Sequence, residues 1–272
     1  MKTSHTLRNL ILFALLVAFA FPFVWMLFAS FKSGNRAIFT PFPILPETWT
    51  TEGYLNLFNS DRIPFLRQFA NTLFIALSQA VGAVILSVLM GYLFGRYRFR
   101  GRLFLFALVL LTVLLPRQVM LMPIIVWLNK LHLLDTPFAV ILPGILSGLG
   151  IIYFTQVFSR IPQEIVDSAR TEGASETRIL HLLLPLISPA ILTYGLIHFI
   201  LAWNEHLIPM ITLDSPTQMT LSLGLASLHG AEMHTPYNQI MAGSVMALFP
   251  TVLLFILLRR QFNTALSDLT SQ

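Results

Sequence analysis

Of the 272 residues, 56% are apolar and only 11% charged, with 17 Lys+Arg against 12 Asp+Glu and no cysteine. Soluble domains carry about 25% charged residues, so this balance excludes an ordinary soluble enzyme and describes a chain solvated mainly by lipid. The net charge of +5 lies in short basic clusters between long uncharged runs, not in the contiguous basic face that a nucleic-acid surface needs. The missing cysteine excludes disulfides, thiolate metal sites and a thiol nucleophile.

A helix needs about 20 predominantly apolar residues to cross the hydrocarbon. The first such run, 9–31, lies between Arg8 and Lys32. It exceeds the roughly 7–15 residues of a signal-peptide core and reads as a retained span. Further spans are predicted at 68–95, 103–122, 137–159, 186–209 and 237–258. Six helices place both termini on one side. The whole of 1–272 reads as one all-α transmembrane domain.

Between the first two spans, residues 32–67 form a Pro-rich loop whose aromatics Trp49, Tyr54 and Phe58 suit an interfacial cap. The third span is interrupted at Pro116-Arg117, and residues 116–137 are expected to give its kinked end plus a short surface helix. Gly91-x-x-x-Gly95 and Gly144-x-x-x-Gly148 read as close helix packing. With the N-terminus inside, eleven Lys and Arg face the cytoplasm and six the other side. Basic residues accumulate in cytoplasmic loops, so both termini are expected inside.

Intramembrane ionisable groups mark ion pathways. Spans one, two, four and six contain no Asp, Glu, Lys, Arg or His; Arg117, His198 and Glu205 stand out in the other two, of which the fifth also holds His206 near its end. This argues against a gradient-driven transporter, the alternative reading, and a membrane scaffold is a third. None of the three lysines, Lys2, Lys32 and Lys130, follows a glycine, so the chain holds no Gly-Lys-Ser/Thr phosphate loop. It has no His-Glu-x-x-His pair or Gly-x-Ser-x-Gly elbow either. The run from His229 through Glu232 to His234 reads as solvated loop residues.

The informative segment is the loop 160–185. Pro162 suits a first helical position, and Ile165 and Ala169 then share a face. Gly173 can end that helix in a left-handed conformation. Ser175 can cap a second helix, in which Ile179, Leu182, Leu183 and Leu186 follow the i, i+3, i+4, i+7 spacing of an apolar face. Pro185 then bends the chain into the fifth span. Four carboxylates, Glu164, Asp167, Glu172 and Glu176, fit a protein partner better than an anionic leaflet, which attracts basic helices.

This segment resembles the cytoplasmic loop of permease subunits of ATP-binding-cassette importers, with its Glu-Ala-Ala, Gly and Leu-Pro landmarks. Asp167-Ser168-Ala169 takes the Glu-Ala-Ala place, Glu172-Gly173-Ala174-Ser175 the acidic-Gly-Ala-Ser/Thr run, and Leu184-Pro185 the close. The likeness continues at Asn71-Thr72, Leu115-Pro116, Met122-Pro123, Trp203-Asn204-Glu205 and Arg259-Arg260-Gln261-Phe262. It is strongest to the carbohydrate branch. Two departures stand out: Asp-Ser replaces Glu-Ala, and the Gly173-to-Pro185 spacing is one residue shorter than the family pattern, about 100° of helix rotation.

The resemblance implies a non-enzymatic permease of the bacterial inner membrane with the type I importer fold. It would import a sugar, oligosaccharide or polyol derivative. The implied partners are a second, non-identical permease, two ATPase subunits that hold ATP and Mg, and an extracytoplasmic solute-binding protein. No cofactor is implied in this chain. The loop would act as a coupling helix through Glu164, Asp167, Ala169, Arg170, Glu172 and Gly173. Asn71, Trp203, Asn204 and Glu205 are the candidate substrate-path residues, and residues 211–236 resemble the element that meets the binding protein.

Overall fold

The computed structural model describes residues 2–33, 44–60, 63–228 and 236–270, the side chains of 2–6 and 257–270 excepted. In chain order the helices are α1 (Lys2–Ala29), α2 (Glu52–Phe58), α3 (Phe65–Arg96), α4 (Arg102–Leu114), α5 (Arg117–Lys130), α6 (Pro137–Ile145) and α7 (Gly148–Arg160). They are followed by α8 (Gln163–Thr171), α9 (Glu176–Leu183), α10 (Ser188–Trp203), α11 (Leu207–Thr212), α12 (Leu221–Ser227) and α13 (Tyr237–Thr270). No strand occurs among the described residues.

Among the described residues four stretches are long and apolar enough to cross a membrane: Leu7–Ala29, Phe65–Arg96, Pro137–Arg160 and Tyr237–Ile256. Counting each of two bent pairs as one span, α4 with α5 at 107° and α9 with α10 at 79°, gives six. The third span therefore departs from the expected 103–122. With 13 residues α4 reaches only about 20 Å, because Pro116 holds Leu115 in an extended conformation at φ −71°, ψ 128°. Where a kinked span end plus a short surface helix was expected, residues 117–130 form the single helix α5. The fifth span is likewise shorter than 186–209: α10 ends at Trp203, and α11 starts afresh at Leu207.

The chain divides into two compact units, residues 1–69 with 221–252, and residues 70–220 with 253–272. In the first, most of the described part of α1 is exposed; Phe13 and Phe19 are 65% and 73% exposed. Its end is held by the loop aromatics. Trp49 packs on Phe28 and Phe31, Tyr54 packs on Phe31, and the Tyr54 hydroxyl lies 2.9 Å from Ser30 Oγ. Of the loop 32–67, the described residues thus pack on the end of α1. Gly53 lets α2 sit against backbone of the α1 and α13 ends: a Cβ there would stand 2.7 Å from the Asn238 carbonyl oxygen and 3.2 Å from that of Ser30.

In the second unit, glycines bring helix axes together where lipid supplies no hydrophobic drive and packing contacts must do so. A Cβ on Gly91 would fall 2.4 Å from Phe154 Cβ, and one on Gly95 would fall 2.9 Å from Phe158 Cβ. Thus α3 and α7 pack through the predicted Gly91/Gly95 pair. Gly144 seats the Gln79 side chain, and Gly148 seats Thr112 of α4. The core around Phe154, Phe158 and Tyr194 continues into α8 and α9 through Val166, Ile179 and Leu183.

Candidate coupling site

Between α7 and α10 the chain makes a short helix, a turn and a second short helix. Pro162 precedes the first helical residue, one position earlier than expected. The turn is made by main chain. Gly173 sits at φ +79°, its N–H donates to the Arg170 carbonyl at 2.9 Å, and the Ala174 N–H donates to the Ala169 carbonyl at 3.0 Å. These are the paired bonds of a Schellman motif, which needs a left-handed residue at Gly173. A Cβ there would meet nothing within 4 Å, so the requirement for glycine is conformational.

The buried anchor of α8 is Val166 at 1% exposure, while Ile165, on the face shared with Ala169, is 43% exposed. Ile179 and Leu183 are buried on α9, whereas Leu182 and Leu186 point outward. The apolar face is narrower than the sequence spacing because only one side of each helix meets α3, α7 and α10. Ser175 precedes α9 without a side-chain cap bond; its Oγ lies 3.1 Å from Thr177 Oγ1.

One carboxylate holds this element to the end of α3. Glu176 Oε2 accepts from the Tyr92 hydroxyl at 2.9 Å and from the Tyr97 hydroxyl. Its other oxygen, Oε1, takes Arg170 Nε at 3.2 Å and Nη2 at 3.1 Å. The guanidinium of Arg170 lies over the Tyr97 ring. The Tyr97 hydroxyl above all holds the Glu176 carboxyl below the usual carboxylate range, helped by Tyr92 and Arg170. Nearby, Arg96 donates from Nη2 to the Ile161 carbonyl at 2.8 Å and from Nη1 to Gln163 Oε1 at 3.1 Å.

Of the six candidate coupling residues, Glu164, Asp167 and Glu172 are exposed, Ala169 is half-buried, Arg170 bridges to Glu176, and Gly173 forms the turn. Asp167 Oδ1 accepts from Gln163 Nε2 at 3.0 Å and lies 3.8 Å from Arg170 Nη1. Sequence reasoning missed Glu176, Tyr92, Tyr97 and Arg96 as members of this site. Glu176 stood out only as one of four loop carboxylates.

The path candidates fall in different settings. Asn71 is buried, and its Nδ2 donates to the carbonyls of Thr217 and Met219 at 2.8 and 3.1 Å. Trp203 is buried and stacked on Phe199, while exposed Asn204 donates to the Ile200 carbonyl at 2.8 Å. Glu205, between α10 and α11, pairs with Arg117 at the start of α5. These two line an open cleft of about 330 Å³ together with Gln79, Thr112, Ser147 and His198. His198 Nε2 lies 3.1 Å from the Gly144 carbonyl and Gln79 Nε2 donates to the Val140 carbonyl at 2.7 Å. The signal for this cleft was Arg117, His198 and Glu205, the isolated ionisable groups in otherwise apolar runs. His229, Glu232 and His234 lie outside the described residues. Among the described residues no group of three His, Asp or Glu is placed to hold a metal.

Residues 83–267 match the family described as the binding-protein-dependent transport system inner membrane component. The chain belongs to that family of permeases. Family members are transport components of inner membranes, not enzymes, and work with ATPase and solute-binding partners. This permease is 32% identical to the arabinooligosaccharides transport system permease protein AraQ of Halalkalibacterium halodurans, over 98% of this chain and 97% of that one. It is 29% identical to the sn-glycerol-3-phosphate transport system permease protein UgpE of Brucella abortus, over 97% and 96% of the two chains. It is 30% identical to the lactose transport system permease protein LacG of Rhizobium radiobacter, over 89% and 87%. Its fold matches, with a TM-score of 0.83 and 21% identity over 95% and 96% of the chains, a bacterial ABC transporter structure involved in the import of the acidic polysaccharide alginate. The permease is therefore an all-α importer subunit, and the gradient-driven alternative finds no support.

Proposed function

We propose that this permease imports a sugar, oligosaccharide or polyol derivative and forms half of a translocation path with a second, non-identical permease. Two ATPase subunits, which hold ATP and Mg, drive it through the loop 160–185, and an extracytoplasmic binding protein delivers the solute. Both termini lie in the cytoplasm. The chain itself takes no cofactor. The substrate class is supported by the relatives, which are named for arabinooligosaccharides, glycerol-3-phosphate and lactose transport. The orientation rests on the eleven-to-six distribution of Lys and Arg.

The observation that carries the coupling role is the fastening of α8 and α9 to α3 through Glu176, Tyr92 and Tyr97. A motor pushing on Glu164, Asp167 or Glu172 would move a body already joined to a long helix, as rigid-body switching requires. Burial of Val166, Ile179 and Leu183 stiffens that joint, each side chain contributing about 1.5–3 kcal/mol where water is the alternative. The cleft holding Gln79, His198, Arg117 and Glu205 presents hydrogen-bond donors and acceptors suited to hydroxyl-rich solutes.

The test is Gly173→Asp in the assembled transporter, read by uptake in proteoliposomes and by ATP hydrolysis. The expected variant assembles and hydrolyses ATP but no longer links hydrolysis to uptake. Normal uptake would overturn the coupling role. Uptake by the native transporter should require the ATPase and survive an uncoupler at fixed ATP.

A further inference from the structure

At the α3–α4 connection stand two arginines, Arg98 and Arg102, that the coupling role does not use. Gly101, at φ +86°, turns the chain into α4, and the Arg102 N–H donates to the Phe99 carbonyl at 3.2 Å. Phe94 fixes the turn by packing on Phe99 and Phe106, with ring centroids 6.0 and 5.5 Å away. The result is an open groove of about 540 Å³ between this turn and the end of α7, walled by Arg96, Arg98, Arg102 and Arg160. No carboxylate lines it, and none of the four arginines forms a salt bridge among the described residues. Arg96 keeps a buried Nε–H without a hydrogen-bond partner.

We infer that this groove binds the headgroup of an anionic phospholipid. The forks of Arg98, Arg102 and Arg160 share one space beside Arg96, whose own Nη1 and Nη2 are held by Gln163 and Ile161, and such a set suits a phosphodiester, which guanidinium groups bind in bidentate fashion. Immediately after the last turn arginine come Leu103 and Phe104, 84% and 66% exposed. A phospholipid supplies both halves of that surface: phosphate for the groove, acyl chains for the outer side of α4. A free phosphate would leave the apolar half uncovered, and so would an acidic patch on a protein. Basic pockets beside membrane helices are established settings for anionic headgroups.

The experiment uses the full-length permease assembled with its ATPase partners in nanodiscs of equal parts phosphatidylethanolamine and phosphatidylglycerol. Lipid retained after mild detergent extraction is identified by native mass spectrometry. The native protein is expected to retain phosphatidylglycerol preferentially, and R98Q/R102Q/R160Q is expected to lose about tenfold or more of that preference. R100Q, outside the groove lining, should keep it. Equal retention of both lipids by the native protein, or an unchanged preference in the triple variant, overturns the proposal. If the triple variant fails to fold, R98E and R102E are read singly. Each should lower the preference severalfold, and no change in either sinks the idea. Excess inorganic phosphate should leave the bound lipid in place; its displacement would make this a free-anion pocket. Loss of the ATPase with lipid preference intact would make it a protein-docking face, which also overturns the proposal.

Discussion

The Tyr92 hydroxyl donates to Glu176 Oε2 at 2.9 Å across 84 positions of sequence. This bond, shared with Tyr97, ties a loop carboxylate to the last turn of the longest helix in the second unit. Its strength does not depend on burial, since the Glu176 side chain is half exposed. It depends on two neutral donors and one guanidinium meeting one carboxylate.

Glu176→Gln should keep the fold and weaken coupling, because the amide loses the charge that Arg170 and both tyrosines address. The carboxyl is held below its usual range, so its contribution is complete above about pH 4.5 and disappears as pH falls through the lowered value. Uptake measured between about pH 5 and 8 should therefore show no inflection from Glu176. The variant should transport less per ATP hydrolysed at every pH in that range. A native inflection near neutrality that the variant abolishes would refute this account.

Gly91→Ala should destabilise the permease by about 1–3 kcal/mol, because its Cβ would stand 2.4 Å from Phe154 Cβ in a packed helix contact. Gly195→Ala supplies the contrast. Its Cβ would lie 3.5 Å from Val84 Cγ2, an ordinary contact, and alanine is a better helix former than glycine. Thermal unfolding midpoints in detergent should fall for the first variant and hold or rise for the second.

Arg117 and Glu205 form an asymmetric pair, with side chains 69% and 9% exposed. Removing the exposed arginine strands a buried carboxylate, which still accepts the Leu207 N–H at 3.0 Å. Arg117→Ala should cost about 1–2 kcal/mol after allowance for solvent screening of the arginine. Adding Glu205→Gln should recover part of that loss. A double-mutant cycle of unfolding midpoints reads the coupling directly.

Asp135 joins the loop after α5 to the loop after α11. Its carboxylate accepts the N–H groups of Asp214 and Ser215 at 3.0 and 2.9 Å and the Ser215 hydroxyl. Its own N–H donates to the Thr212 carbonyl at 2.7 Å. The Ser215 hydroxyl and then its N–H hold the carboxyl below the usual range, so its stabilisation is lost as pH falls below about 4. Asp135 also has φ +57°, a region asparagine tolerates and alanine does not. Asp135→Asn should therefore be milder than Asp135→Ala in thermal unfolding, the alanine adding roughly 1–2 kcal/mol of backbone strain.

The spans were legible because hydrocarbon tolerates few charges, so their approximate extent is written as long uncharged runs. Gly173 was legible because a left-handed turn between two short helices selects glycine. The end of α4 at Leu114 required knowing how far Pro116 propagates its constraint back along the chain. The choice of Val166 over Ile165 as anchor was hidden, because both are apolar and only the neighbouring helices decide which face turns inward. The Glu176 network was hidden for a related reason. Tyr92 and Tyr97 read as ordinary aromatics near a helix end until the fold delivers a carboxylate from 84 and 79 positions away.

The bend after α8 is closed by backbone bonds at Gly173 and Ala174 and asks one residue type of the sequence at one place. The exposed side chains around it are thereby released from any duty to the bend itself. On the proposed coupling role, a different motor would be accommodated by exchanging those outward residues alone, as a plug is rewired while its housing stays the same.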